Sequence, residues 1–67
     1  MAITLKAARV NAGLNQREAA ERLNISESTL SKYESGKSFP DVPMIQNIEV
    51  LYKISYRDII FCPKSTV

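Results

Sequence analysis

The chain has 67 residues, close to the lower limit at which one hydrophobic core sustains a fold without disulfides or metals. Apolar residues make up 45%, few of them aromatic, which suits closely packed helices better than a deep ligand cavity, and two Gly and three Pro exclude a low-complexity chain. The net charge of +2 is too small to indicate a nucleic-acid partner by itself, and one Cys with no His excludes an internal disulfide and a zinc-finger ligand set.

Leu5, Ala8, Arg9 and Ala12 recur at helical spacing, and Gly13 is a stop signal just beyond them, so a first helix is predicted from about Ile3 to Ala12. Asn15 followed by Glu18 is a capping-box pattern that opens a second helix from Gln16 to about Leu23, with Ala19, Ala20 and Leu23 buried. Asn24 occupies a tight turn where a positive φ is expected. Ser26 caps a third helix, Glu27 to about Ser35, ended by Gly36; Leu30 and Tyr33 fall on its inner face. After a loop containing Pro40, Asp41 caps a fourth helix with Pro43 in its first turn, and Ile45, Ile48, Leu51 and Tyr52 form its apolar face. Ser55 with Asp58 repeats the cap pattern and predicts a short fifth helix through Ile59 and Ile60. Pro63 ends regular structure, residues 64–67 read as a frayed tail, and no run alternates like a strand.

These elements predict an all-α, compact five-helix bundle: a single domain over 1–67 with an ordered core of about 3–62. Lys6 and Arg9 interrupt any N-terminal apolar stretch, so neither a signal peptide nor a transmembrane span is expected, and the expected location is cytoplasmic. Cys62, in an apolar run, reads as a small packing residue rather than a nucleophile or an intermolecular bridge.

The second and third helices, joined at Asn24, have the shape of a helix-turn-helix. Two helices crossing steeply need a small residue at their contact, which Ala20 supplies. Ala19, Leu23, Ile25, Leu30 and Tyr33 fall where apolar side chains must hold the pair. The outward face of the third helix is Glu27, Ser28, Thr29, Ser31 and Lys32. Its Ser and Thr residues are poor helix formers, an unexpected choice for a face built only for stability. Short hydroxyl side chains do allow close approach to a groove floor and offer hydrogen bonds to bases and phosphates. Charges from Arg17 to Lys37 cancel, four basic against four acidic, so placement rather than total charge carries the argument.

Leu14-Asn15-Gln16-x-Glu18-Ala19-Ala20, Ser28-Thr29-Leu30-Ser31-Lys32-Tyr33-Glu34-Ser35-Gly36-Lys37, Pro40 and Ile54-Ser55-x-x-Asp58-Ile59-Ile60 together resemble the lambda-repressor-like helix-turn-helix family of phage Cro and repressor proteins, also called XRE. The resemblance spans about Leu5 to Ile60. It implies a five-helix domain that binds pseudo-palindromic double-stranded DNA as a homodimer. It further implies base contacts from Glu27, Ser28, Thr29 and Lys32, and phosphate contacts from Asn15, Gln16, Arg17, Ser31, Lys37 and Ser38. Arg9 and Glu34 match positions that form an ion pair between first and third helices in some members; a solvent-exposed pair is the alternative. Two departures stand out. Asn24 replaces a frequent Gly, and Glu27 puts a carboxylate where neutral or basic side chains are common. That carboxylate repels phosphates but can accept a hydrogen bond from the cytosine amino group, so it is expected to filter specificity.

Tyr56, Ile59, Ile60, Phe61 and Cys62 form an apolar C-terminal cluster, read either as a dimer interface or as the completion of the core. The function expected is a sequence-specific transcriptional regulator, a repressor of phage or mobile-element type, with the third helix in the major groove. The alternative is a protein-interaction module of antitoxin or regulatory-partner type without specific DNA binding. No cofactor and no metal are expected. An enzyme is disfavoured by the absence of a His, a phosphate loop or a metal-suited carboxylate cluster.

Overall fold

The computed structural model describes residues 2–61; the expectations for Cys62, Pro63 and residues 64–67 lie outside the described residues. Four α-helices form the body of the fold: α1 (Leu5–Asn11), α2 (Gln16–Leu23), α3 (Glu27–Ser35) and α4 (Val42–Tyr52).

All four helices start and stop by the same chemistry. The N-cap side chains of Thr4, Asn15, Ser26 and Asp41 accept from the backbone N–H groups of Ala7, Glu18, Thr29 and Met44. Each such cap contributes about 1 kcal/mol, because it satisfies a donor the helix itself cannot. After each helix the chain enters the left-handed region, at Gly13, Asn24, Gly36 and Lys53. The residue that follows then donates back across the last turn: Leu14 to Arg9, Ile25 to Ala20, Lys37 to Lys32 and Ile54 to Glu49. The Asn15–Glu18 capping box, the turn at Asn24 and the stops at Gly13 and Gly36 agree with the sequence reading.

The two chain ends differ from that reading. The first helix begins at Leu5 because the Thr4 hydroxyl caps it, and Ile3–Thr4 forms a short strand, β1. Ala12 is an exposed cap residue and not part of the buried stripe. The predicted fifth helix is a single 3₁₀ turn, Tyr56–Asp58, leading into a second strand, β2 (Ile59–Ile60). Ser55 gives no side-chain cap. The Glu49 carboxylate accepts from the Tyr56 N–H instead, at 2.6 Å. Two consecutive β-branched residues then favour extended backbone, and β2 pairs parallel to β1 with Ile3 opposite Ile59. The described residues therefore hold four α-helices, a 3₁₀ turn and a two-strand seam in place of five helices.

The core gathers Leu5 and Ala8 of α1, Ala19, Ala20 and Leu23 of α2, Leu30 of α3, Ile48 and Tyr52 of α4, and Ile59 of β2. α2 packs on both α3 and α4, and the alanines at its centre keep those contacts close. Ile45 sits outside this core and lines an open cleft with Val42, Gln46, Glu49 and Tyr56. No helix among the described residues is long and apolar enough to cross a membrane.

Candidate nucleic-acid interface

α3 is divided sharply between its two sides. Leu30 is completely buried, whereas Glu27, Ser28, Ser31 and Lys32 are exposed. Those four belong to the face that the sequence reading assigns to base and phosphate contact. Thr29 is only half-buried, and its hydroxyl lies 2.9 Å from the Ser26 hydroxyl beside the cap bond from the Thr29 N–H to Ser26. Its polar group is therefore shared with the helix cap. Glu27, in the first turn of α3, also meets the positive end of the helix dipole, a stabilising placement in its own right.

α3 is oriented by a buried ion pair. Arg9 Nε donates to Glu34 Oε2 at 2.7 Å, and the two side chains are only 9% and 8% exposed. Burial of this kind excludes the solvent-exposed alternative. A second Arg9 nitrogen, Nη1, donates to the Leu14 carbonyl at 3.0 Å, so one guanidinium spans α1, the loop before α2, and α3. Removing either partner would strand a buried charge, at a cost of about 3–5 kcal/mol.

Gln16 belongs to the same network, which its sequence context does not reveal. Its Nε2 donates to Glu34 Oε1 at 3.1 Å, across 18 residues of sequence. That oxygen also receives a long 3.5 Å bond from Arg9 Nη2. Gln16 is half-buried at the start of α2, where first-turn N–H groups have no partner inside the helix and an anion is favoured. Asn15 is exposed, with its side-chain oxygen committed to the capping box at 2.7 Å from the Glu18 nitrogen. Arg17 is exposed beside Glu21 at 3.8 Å, a weak surface pair that leaves the guanidinium accessible. After α3, the N–H groups of Lys37 and Ser38 both donate to the Lys32 carbonyl, at 2.9 and 3.3 Å. This turn fixes the loop that carries the exposed Lys37 and half-buried Ser38.

Tyr52, read from sequence as a residue of the apolar face of the fourth helix, is part of the buried core. It is 6% exposed, and its hydroxyl is buried without a hydrogen-bond partner among the described residues. Burial pushes its phenol up from 10.0 to about 12; the Glu34 carboxylate adds to the rise and the Arg9 guanidinium opposes it.

The apolar C-terminal cluster divides. Ile59 is buried in the chain's own core, because its strand pairing turns it inward, so it is withdrawn from the candidate dimer surface. Tyr56 and Ile60 remain 52% and 39% exposed. Phe61 packs partly on the core and rests against the Tyr56 ring, centroids 5.7 Å apart. Among the described residues no group of His, Cys, Asp or Glu is placed to hold a metal.

A family model described as helix-turn-helix matches residues 5–59. The HTH-type transcriptional regulator ImmR of Bacillus subtilis (strain 168) is 45% identical over 51 residues, which is 76% of this chain and 40% of that protein. The matched region thus covers only 40% of this curated relative's length. No solved structure matches it significantly. With the matched region running from the first residue of α1 into β2, and the capped α2–turn–α3 unit at its centre, the chain belongs to the lambda-repressor-like helix-turn-helix family.

Proposed function

We propose that this protein is a sequence-specific double-stranded DNA-binding transcriptional regulator, a repressor of phage or mobile-element type, that reads the major groove with α3. The observation that carries the proposal is the exposed ridge Glu27, Ser28, Ser31 and Lys32 on a helix anchored by Leu30 and by the Arg9–Glu34 pair. A groove-reading helix needs short polar side chains outward and a fixed pose, and this one has both. Glu27, Ser28, Thr29 and Lys32 meet base edges, with Glu27 selecting a cytosine amino group. Asn15, Gln16, Arg17, Ser31, Lys37 and Ser38 meet phosphates from α2, α3 and the following loop.

Two copies bind one pseudo-palindromic operator, meeting through Tyr56, Ile60 and Phe61. The longest dimension of the described chain is 32 Å, and successive major grooves on one DNA face lie about 34 Å apart, so neighbouring copies come within contact distance. Linked binding then raises apparent affinity by about 10²–10⁴, offsetting the weak net charge.

Parallel selections from a random duplex pool test this reading, one with wild-type protein and one with Glu27→Gln. The expected outcome is a two-fold symmetric motif for the wild type and relaxed preference at one symmetric C·G pair for the variant. A protein enriching no sequence, with binding insensitive to salt, would be an interaction module without specific DNA binding.

A further inference from the structure

Of the residues that line the open cleft beside α4, only Tyr56 has a place in the contacts proposed above. Val42 and Tyr56 are 66% and 52% exposed and Ile45 is half-buried, so the cleft keeps apolar surface in water. One carboxylate sits among these side chains. Glu49 Oε2 accepts from the Tyr56 N–H at 2.6 Å, which ties the 3₁₀ turn to α4, while Glu49 Oε1 has no partner among the described residues. The residue after Tyr56 carries the opposite charge. Arg57 is exposed on that turn and forms no ion pair among the described residues, so it does not fold back onto Glu49.

A two-fold contact presents one patch to itself, so each residue that meets another is met by it in turn. A patch that holds an anion and a separate cation complements its own copy at two places, whereas a patch of one sign repels its copy. Glu49 is bonded to Tyr56 and Arg57 follows it in the chain, and Tyr56 belongs both to the cleft and to the proposed contact of Tyr56, Ile60 and Phe61. Resting on that reading of paired copies on DNA, we propose that the cleft is covered by a second copy of this chain. Arg57 of each copy donates to Glu49 Oε1 of the other. The two ion pairs fix one register, which apolar contact alone leaves free, and the apolar walls strengthen them by excluding water.

The test reads the ratio of affinities for the selected operator and for its single half-site, in which the DNA contacts of each copy cancel. Arg57→Glu sets like charges against each other and lowers this ratio about tenfold. Glu49→Gln keeps an acceptor for the Tyr56 N–H but removes the charge, and lowers the ratio about threefold in the wild-type background. In the Arg57→Glu background the same Glu49→Gln change relieves repulsion and raises the ratio about threefold. A purely structural role for Glu49 does not reverse sign in this way. A high wild-type ratio that no variant alters overturns the ion pairs, gives the cleft to another occupant, and leaves the pairing of copies standing. Equal losses on both duplexes from Arg57→Glu make Arg57 a phosphate contact and overturn the proposal too. A wild type that selects its half-site but gains nothing from a second one removes the pairing of copies, and the ion pairs with it. Where no duplex is preferred at all, the DNA reading fails, and sedimentation of the free proteins decides: association in the wild type that Arg57→Glu abolishes supports the pairs, and equal association in both, or none in either, overturns them.

Discussion

At Tyr52 a phenol is enclosed in the core, and burial, with the Glu34 charge adding to it, favours the neutral form. Its folded-state pKa, about 12, lies above the 10.0 of an exposed phenol. The folded protein therefore holds this proton where the unfolded chain has released it. The resulting stability is fully present below pH 10 and is lost as pH rises from 10 towards 12. An absorbance titration of tyrosinate should show a step centred at about 12 that disappears in Tyr52→Phe. Persistence of that step in the variant would place it on another residue. Neither the hydroxyl's isolation nor Gln16's bond to Glu34 is legible from sequence, since each depends on where a distant element brings its side chain. The Arg9–Glu34 pair was legible only through resemblance, because nothing local marks positions 9 and 34 as partners.

Elements with local punctuation are the ones the sequence predicts closely. α2 and α3 coincide with their predicted spans because Asn15, Glu18, Asn24, Ser26 and Gly36 each have a cap or turn chemistry readable from residue type. The ends of the fold lack that property. Thr4 is a cap residue that helical periodicity alone absorbed into α1, and Ser55 has the right type but no bond. The true cap of the last turn is Glu49, one helix earlier, which only tertiary structure reveals. Lys53 was equally hidden, since Lys is an uncommon choice at φ 55° and ψ 48°. That position supplies an element-scale prediction. Lys53→Gly relieves the crowding that a side chain suffers there, and although Gly adds freedom to the unfolded chain, a net gain of about 0.5–1 kcal/mol is expected in denaturant titration. A loss of stability would mean that Lys53 makes a compensating contact.

For the whole molecule, the proposed pairing of copies on DNA is what offsets the weak net charge. Tyr56 and Ile60 stand exposed beside Phe61, while Ile59 has been taken into the core. Ile60→Asp should therefore leave the monomer folded but put a carboxylate into the proposed contact between copies. Apparent operator affinity is expected to fall by about 10² or more, with single half-site binding little changed, as read by gel shift on one-site and two-site duplexes. Equal binding by the variant to both duplexes, matching the wild type, would move the contact elsewhere.

The parallel seam of β1 and β2 fastens the two most remote described stretches of the chain to each other, Ile3 to Ile59 and Thr4 to Ile60. Shutting so wide a circuit carries a loop-closure cost that no helix bears, and only two residues on each side reward it. The zip is therefore the last join made during folding and the first to breathe afterwards. Deuterium uptake at the Ile59 and Ile60 amides should outpace that at Leu30, giving the protein a soft hem around a stiff α2–α3 centre.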